Sequence, residues 1–266
     1  MSRLARALTT ASRLRREGLV TAAAKASESF AAGLAWSSEI APTIEASTGS
    51  TPEPNPLRVC FDEIVEGPGC WKWEHYFEPY HRHFARFVGA APRLMEVGVY
   101  SGGSLGMWRR YFGPGAMIYG VDIEPACLAY AAEKVEIVIG DQGDRSFWAK
   151  VRSDIEPLDI FIDDGSHDAD HQILTLCEML PHLRPGGVYV CEDLHGFPNR
   201  FATFALGLST VVAAGKSLSR MVASISIYPF MVVIERAASD PYPLMSVRRG
   251  TQWAPFLDGG QWQGDG

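Results

Sequence analysis

Short apolar segments alternate with helix-like segments between residues 93 and 192, and this alternation restricts the fold more than any other feature of the chain. The interiors of the apolar segments have almost no polar residues, which is typical of strands buried on both faces of a sheet. The sequence therefore predicts an α/β fold in which helices cover both faces of a mostly parallel sheet. The five predicted strands are Arg93–Val99, Ala116–Ile123, Val135–Ile139, Leu158–Asp163 and Gly187–Glu192.

Helical spacing of apolar residues separates these strands and also precedes them. Upstream, Phe77, Tyr80, Phe84 and Phe87 have the spacing of one helix face, which indicates a helix packed on the core. Between the strands, the sequence predicts helices at Gly103–Phe112, Glu124–Glu133, Arg145–Val151 and His167–His182.

The segment after residue 196 predicts a helix followed by two further strands. Val222–Tyr228 and Phe230–Arg236 are separated by Pro229 alone, so they are expected to form an antiparallel pair at the sheet edge, for seven strands in all. The preceding segment, Phe197–Met221, is mostly helical. Its apolar residues fit either a lid over a large ligand or a plain packing helix.

The predicted sheet divides the chain into three parts. Residues 1–59 are expected to form a helical extension and linker, residues 60–240 the sheet domain, and residues 241–266 a tail. No segment reaches the length of a membrane-spanning helix, and the Arg-rich start lacks the apolar core of a secretory signal. The five cysteines show no C-x-x-C pairing, and Cys177 and Cys191 are expected to be packed, reduced thiols. We expect a cytoplasmic protein that does not bind membranes.

Charge excludes one class of partner and points to a site. The chain has 24 basic and 31 acidic residues, a net charge of −7, which argues against non-specific binding to nucleic acid. Seven of the acids follow or end predicted strands. In a parallel sheet, ligands bind beyond the carboxyl ends of the strands, so these acids are expected at one rim. They are Glu96, Asp122, Asp141, Asp163, Asp164, Glu192 and Asp193.

The first three strand ends predict a nucleoside ligand without phosphates. A glycine turn with Gly98, Ser101 and Ser104 follows the first strand, but it lacks the G-x-G-x-x-G of dinucleotide folds, and the nearby Glu96 would repel a pyrophosphate. Asp122 is placed to accept hydrogen bonds from ribose hydroxyls, and Asp141 and Gln142 to flank an adenine. The ligand predicted is S-adenosylmethionine. Asp163 is included among the residues expected to bind it.

The last two strand ends predict a divalent cation. Asp164, Glu192 and Asp193 converge if the fourth and fifth strands are neighbours, and several carboxylates at one spot favour Mg²⁺ or Mn²⁺. Solvated loop acids or helix caps are the alternative. His167 follows Asp164 closely enough to act as a general base in the same pocket, and we favour it over His171.

The motifs of residues 94–193 resemble those of a known family. E-V-G-V-Y-S-G-G-S-L, Y-G-V-D-I, G-D-Q, I-D-D-G-S-H and L-R-P-G-G-V-Y-V-C-E-D are similar to segments of class I S-adenosylmethionine-dependent methyltransferases, whose sheet is Rossmann-like. They resemble in particular the metal-dependent sugar O-methyltransferases of macrolide pathways and the related cephalosporin-hydroxylase-type proteins. The resemblance continues upstream through Trp71–Tyr76 and downstream through Ser226–Glu235.

The resemblance implies a function and a set of site residues. The function is methylation of a sugar hydroxyl in a small-molecule glycoside, with Asp164, Glu192 and Asp193 as metal ligands and His167 as base. Lys72, His75 and Tyr76 match a segment that covers the cofactor or substrate, and Tyr76 is assigned to the cofactor. A homo-oligomer is expected. A cephalosporin-hydroxylase-type component and a non-catalytic binding or assembly protein stay open, whereas a Rossmann dehydrogenase is disfavoured by Glu96.

Overall fold

The computed structural model describes residues 27–40, 54–239, 241, 243–247 and 249 of the chain. The chain divides into two compact units, Met1–Glu53 and Pro54–Gly266. In the first unit, residues 27–40 form helix α1, which is exposed along nearly its whole length. Residues 1–26 and 41–53 of the predicted helical extension and linker, and most of the C-terminal tail, lie outside the described residues.

The second unit contains the predicted seven-stranded sheet. Its spatial order is β3-β2-β1-β4-β5-β7-β6. Strands β1 to β5 pair in parallel, while β7 runs antiparallel to both β5 and β6, so the antiparallel pair at the edge is confirmed. The strands are β1 Arg93–Val97, β2 Met117–Asp122, β3 Val135–Ile139, β4 Leu158–Asp163, β5 Leu183–Cys191, β6 Val222–Tyr228 and β7 Met231–Arg236.

Six α-helices and five short 3₁₀ helices are described in this unit. Among the described residues, none of the helices combines the length and apolarity needed to cross a membrane. The α-helices are α2 Pro56–Asp62, α3 Phe77–Phe84, α4 Gly103–Phe112, α5 Arg145–Asp154, α6 Ala169–Met179 and α7 Arg200–Ala213. The 3₁₀ helices are Glu74–Tyr76, Ala85–Phe87, Pro125–Tyr130, Leu180–His182 and Ser217–Arg220.

Three of the helices predicted between the strands differ from the structure at their ends. One of them, α5, continues beyond Val151 to Asp154. The segment after β2 forms only the 3₁₀ helix Pro125–Tyr130, because the chain then turns into a β-bridge between Ala132 and Val135. Helix α6 begins at Ala169 and not at His167. The Asp168 carboxylate accepts hydrogen bonds from the backbone N–H groups of Asp170 and His171, which caps the helix and leaves His167 in the preceding loop.

Alternate residues of the strands build two apolar clusters, one on each face of the sheet. On one face, Leu57 of α2, Tyr80 of α3 and Trp108 of α4 are fully buried. On the other face, Trp148 of α5 and Phe201 of α7 are fully buried. The core begins before residue 60, since α2 supplies Leu57 to it.

The positions of α7 and of two cysteines can be compared with the expectations from the sequence. Phe201 of α7 is buried in the second apolar cluster, and Phe204 and Leu208 of the same helix pack against the cluster, so α7 is a packing helix and does not form a lid. Cys191 is buried as expected. The expectation for Cys177 is wrong, because its position on α6 is exposed.

The turn after β1 requires glycine at residue 98. Gly98 has φ 94°, and a Cβ placed there would lie 2.0 Å from the backbone oxygen of Asp164 in the loop after β4. The two loops are therefore in direct backbone contact. Backbone bonds from Gly98 N to Val121 O (2.8 Å) and from Asp164 N to Val97 O (3.0 Å) hold both loops against the sheet.

Replacing Gly98 by Ala is expected to lower the free energy of unfolding by about 3 kcal/mol, from the left-handed φ and the backbone clash together. The matched control is Gly106→Ala, because Gly106 lies in α4 with open space around it and alanine favours a helix. Thermal unfolding measures both variants. A Gly98→Ala protein that unfolds at or above the temperature of the Gly106→Ala protein contradicts the account of this turn.

Candidate active site

A cavity of about 960 Å³ opens at the carboxyl ends of the parallel strands. Its walls are the loops after β1, β2, β3, β4 and β5, together with the segment Gly69–Trp73. Every predicted site residue lines it except Glu96 and Asp163. The residues that do are Tyr76, Gly98, Ser101, Ser104, Asp122, Asp141, Gln142, Asp164, His167, Glu192 and Asp193.

Asp122 at the end of β2 supports the glycine turn. Its Oδ2 accepts from the backbone N–H groups of Val99 (2.9 Å) and Tyr100 (3.0 Å), and its Oδ1 accepts from Glu124 N (2.9 Å). Burial raises the pKa of this carboxyl, but the backbone hydrogen bonds outweigh it and lower the pKa below its ordinary value. Asp122 is therefore a fixed anion on the cavity wall.

Gln142 joins the loop after β3 to the loop after β4. Its Nε2 donates to Asp163 Oδ1 (2.6 Å) and its Oε1 accepts from Ser166 N (2.9 Å). Asp163 is fully buried beneath it and also accepts from Tyr189 (3.2 Å), so it positions Gln142 and does not itself line the cavity. Burial raises the pKa of Asp163 to about 6. Asp141 is exposed beside it, with Oδ1 accepting from Gly143 N (2.7 Å).

The Lys72 ammonium lies between three carboxylates, and Lys72, Asp164 and Glu192 all line the cavity. Its Nζ is 2.5 Å from Asp164 Oδ2, 3.1 Å from Glu192 Oε2 and 3.3 Å from Glu96 Oε1. The Lys72 side chain is 2% exposed. Lys72, Glu96, Asp164 and Glu192 are called the lysine–carboxylate cluster below.

Charge pairing makes this cluster possible in a dry interior. Burial alone lowers the pKa of Lys72, but Asp164 and Glu192 raise it well above its ordinary value, so the side chain is a cation. Burial raises the pKa of Glu96 and of Glu192, and Lys72 opposes that rise. Hydrogen bonds complete the cluster: Ser104 Oγ donates to Glu96 (2.6 Å) and the Tyr80 hydroxyl donates to Glu192.

Asp193 is oriented by the segment upstream of α3. Its Oδ1 accepts from Trp73 Nε1 (3.0 Å) and from the Tyr76 hydroxyl (2.8 Å), while its backbone N–H donates back to that hydroxyl (3.1 Å). Tyr76, expected at the cofactor, thus contacts Asp193 and lines the same cavity. Asp193 Oδ2 faces His167 Nε2 at 3.8 Å.

One group of side chains in the cavity has the arrangement of a metal site. Asp164, His167 and Asp193 each offer one ligand atom, and these three atoms lie within 4.8 Å of one another. Carboxylate oxygens beside an imidazole, in a partly exposed cavity, fit a hard divalent cation. Glu192, also expected as a ligand, lines the same cavity but is turned toward Lys72 and Tyr80, because a buried carboxylate needs close partners.

His171 is placed away from these ligand atoms. Its Nδ1 lies 3.1 Å from Ser166 Oγ, and its ring packs where a Cβ on Gly143 would be. His167 instead has φ 56° and lies beside Asp193. The positive φ of both His167 and Asp193 (54°) is backbone strain of the kind found at functional sites.

Comparison with known proteins agrees with this geometry. Residues 95–194 match the family model described as a methyltransferase domain. Demethylmacrocin O-methyltransferase of Streptomyces fradiae is 39% identical over 132 residues, which are 47% of this chain and 33% of that protein. Mycinamicin VI 2''-O-methyltransferase of Micromonospora griseorubida is 39% identical over 129 residues, 45% of this chain and 32% of that protein. The chain thus spans about a third of the length of these relatives.

Solved structures extend the similarity to 71% of this chain. The MycE methyltransferase from the mycinamycin biosynthetic pathway, in complex with Mg and SAH, matches with a TM-score of 0.60 and 26% identity over 71% of this chain and 56% of that chain. Its complex with Mg, SAH and mycinamycin VI matches with a TM-score of 0.59 and 27% identity, over the same shares of the two chains. The resemblance predicted from the sequence motifs is confirmed.

Proposed function

We propose that this chain, whose residues 95–194 match a family model described as a methyltransferase domain, is a Mg²⁺-dependent O-methyltransferase that uses S-adenosylmethionine to methylate a sugar hydroxyl of a glycosylated natural product. One observation carries the proposal. A wall formed by the glycine turn, Asp122 and Asp141 shares one cavity with the ligand group Asp164, His167 and Asp193. The names of the relatives, which act on demethylmacrocin and mycinamicin VI, favour the same substrate class.

The residues after β1, β2 and β3 would hold the cofactor. Gly98 lets a ligand approach the backbone, Asp122 supplies carboxylate oxygens for ribose hydroxyls, and Asp141 with Gln142 flanks the position of an adenine. S-adenosylmethionine would supply the methyl group. Its sulfonium charge suits a rim with more carboxylates than cations.

The metal would be held by the carboxylates of Asp164 and Asp193, and Glu192 would join them only by turning away from Lys72 and Tyr80. A divalent cation there would lower the pKa of a coordinated sugar hydroxyl. Trp73 and Tyr76 fix one oxygen of Asp193, and Lys72 fixes one oxygen of Asp164, so neither carboxylate has to reorganise when a ligand enters.

His167 would accept the proton of the reacting hydroxyl. His167 lies in the loop before α6, beside the carboxylates of Asp164 and Asp193, and 39% of its side chain is exposed. The Asp193 carboxylate, 3.8 Å from Nε2, would stabilise the imidazolium that forms. Positioning of the hydroxyl against the methyl carbon would supply much of the remaining rate acceleration.

The proposed function predicts methylation that depends on a divalent cation. Purified protein is incubated with S-adenosylmethionine and a panel that includes demethylmacrocin and mycinamicin VI, and mass spectrometry detects the gain of one methyl group. We expect turnover with Mg²⁺, loss in excess chelator and recovery when Mg²⁺ is returned. Full turnover in chelator contradicts the metal role. Binding of S-adenosylmethionine without turnover of any glycoside favours the non-catalytic alternative.

The base assignment predicts that His167→Ala lowers kcat roughly 100-fold or more, with little change in the dissociation constant of the cofactor. His171→Ala is the comparison, because it removes a second imidazole from the same cavity. Steady-state kinetics and calorimetric titration of S-adenosylmethionine measure the two effects separately. A larger loss of kcat in His171→Ala than in His167→Ala would assign the base to the other histidine.

A further inference from the structure

Three aromatic rings form a continuous surface at one rim of the cavity. The ring centroids of Trp73 and Phe230 are 5.3 Å apart, those of His195 and Phe230 are 5.2 Å apart, and those of Trp73 and His195 are 6.1 Å apart. Trp73 is 44% exposed and Phe230 is 40% exposed. Trp73, His195 and Phe230 are called the aromatic wall below.

The aromatic wall is joined directly to the polar site. Trp73 Nε1 donates to Asp193 Oδ1 (3.0 Å), and His195 Nε2 lies 3.9 Å from Asp193 Oδ2. Trp73 and His195 also line the cavity itself. A ligand with a hydroxyl at Asp193 and His167 would therefore reach the wall with the next part of its structure.

The turn between β6 and β7 places Phe230 in the aromatic wall with a strained backbone conformation. Phe230 has φ 59°, which is unusual for a bulky side chain. Its carbonyl accepts from Leu194 N (3.0 Å) and from the Tyr76 hydroxyl (3.1 Å), and the His75 ring contacts Pro229 O (2.9 Å). Strain of this kind, fixed by surrounding hydrogen bonds, clusters at ligand sites.

The chemistry of the wall selects the kind of ligand. A single exposed aromatic residue needs no explanation, but three rings in contact beside a carboxylate and an imidazole make an apolar surface with one polar edge. A flat ligand with an apolar C–H face and hydroxyls along its edge matches both parts. The negative faces of aromatic rings attract such polarised C–H groups.

We propose that the aromatic wall is the acceptor subsite, and that it stacks on the apolar face of a sugar ring while an edge hydroxyl of that ring points to Asp193 and His167. This inference rests on the proposed function and specifies the sugar ring, not the aglycone, as the part that the wall recognises. Phe230 and His195 are then specificity-determining residues.

Phe230→Ala tests the subsite, because it removes a ring and leaves the backbone contacts of residue 230 and the bond from Trp73 to Asp193 in place. We expect the KM for a glycoside acceptor to rise about tenfold, with kcat and the dissociation constant of S-adenosylmethionine changed less than twofold. The matched control is Ile227→Ala, since Ile227 is 54% exposed on the same hairpin and lies outside the wall. It should leave all three constants unchanged.

A second measurement separates failure of the subsite from failure of the proposed function. Saturation-transfer NMR with mycinamicin VI should show transfer to sugar-ring protons in the unaltered protein and reduced transfer in Phe230→Ala. Turnover in the unaltered protein with no change of KM or of transfer in Phe230→Ala overturns the subsite alone. Transfer that depends on Phe230 without turnover overturns the proposed function and keeps the subsite. Neither transfer nor turnover overturns both.

Discussion

One buried ammonium group holds the acidic end of this sheet together. Lys72 comes from the segment before α3, yet its Nζ contacts carboxylates at or next to the carboxyl ends of β1, β4 and β5. Without a cation among them, Glu96, Asp164 and Glu192 would each carry a desolvated negative charge next to two others, and two of the three are almost fully buried. The lysine–carboxylate cluster thus stabilises the cavity, and it joins the segment that contains Lys72 to the ends of the strands.

The parallel sheet determines where chemistry can occur. Strands β1, β4 and β5 are neighbours, so the residues after them meet at one rim, and the backbone contact at Gly98 brings two of their loops together. The loops after β2 and β3 form the wall proposed for the nucleoside. On the other side, Trp73 and Tyr76 fix Asp193, and the turn between β6 and β7 adds Phe230. Two ligands can therefore enter one cavity from different walls.

Much of this arrangement follows from sequence patterns, and the rest depends on contacts between distant residues. Apolar strand interiors predict the sheet, and acids at strand ends predict which residues line the cavity. Asp163 has the same pattern as Asp164, but it points into the core toward Gln142 and Tyr189 because alternate strand residues face opposite sides. The three partners of Lys72 lie 24, 92 and 120 residues away in the chain, so no local spacing identifies it as the central cation. The orientation of Glu192 toward Lys72 and Tyr80 follows from the same long-range pairing.

A double-mutant cycle between Lys72 and Glu192 tests this central role most directly. The free energy of unfolding is measured by denaturant titration for the unaltered protein, Lys72→Met, Glu192→Gln and the double variant. We expect Lys72→Met to lose about 3 kcal/mol or more, because buried carboxylates are left unpaired. The double variant should lose less than the sum of the single losses, with a coupling free energy of about 1 kcal/mol or more. A Lys72→Met protein as stable as the unaltered one, or losses that simply add, would contradict the account.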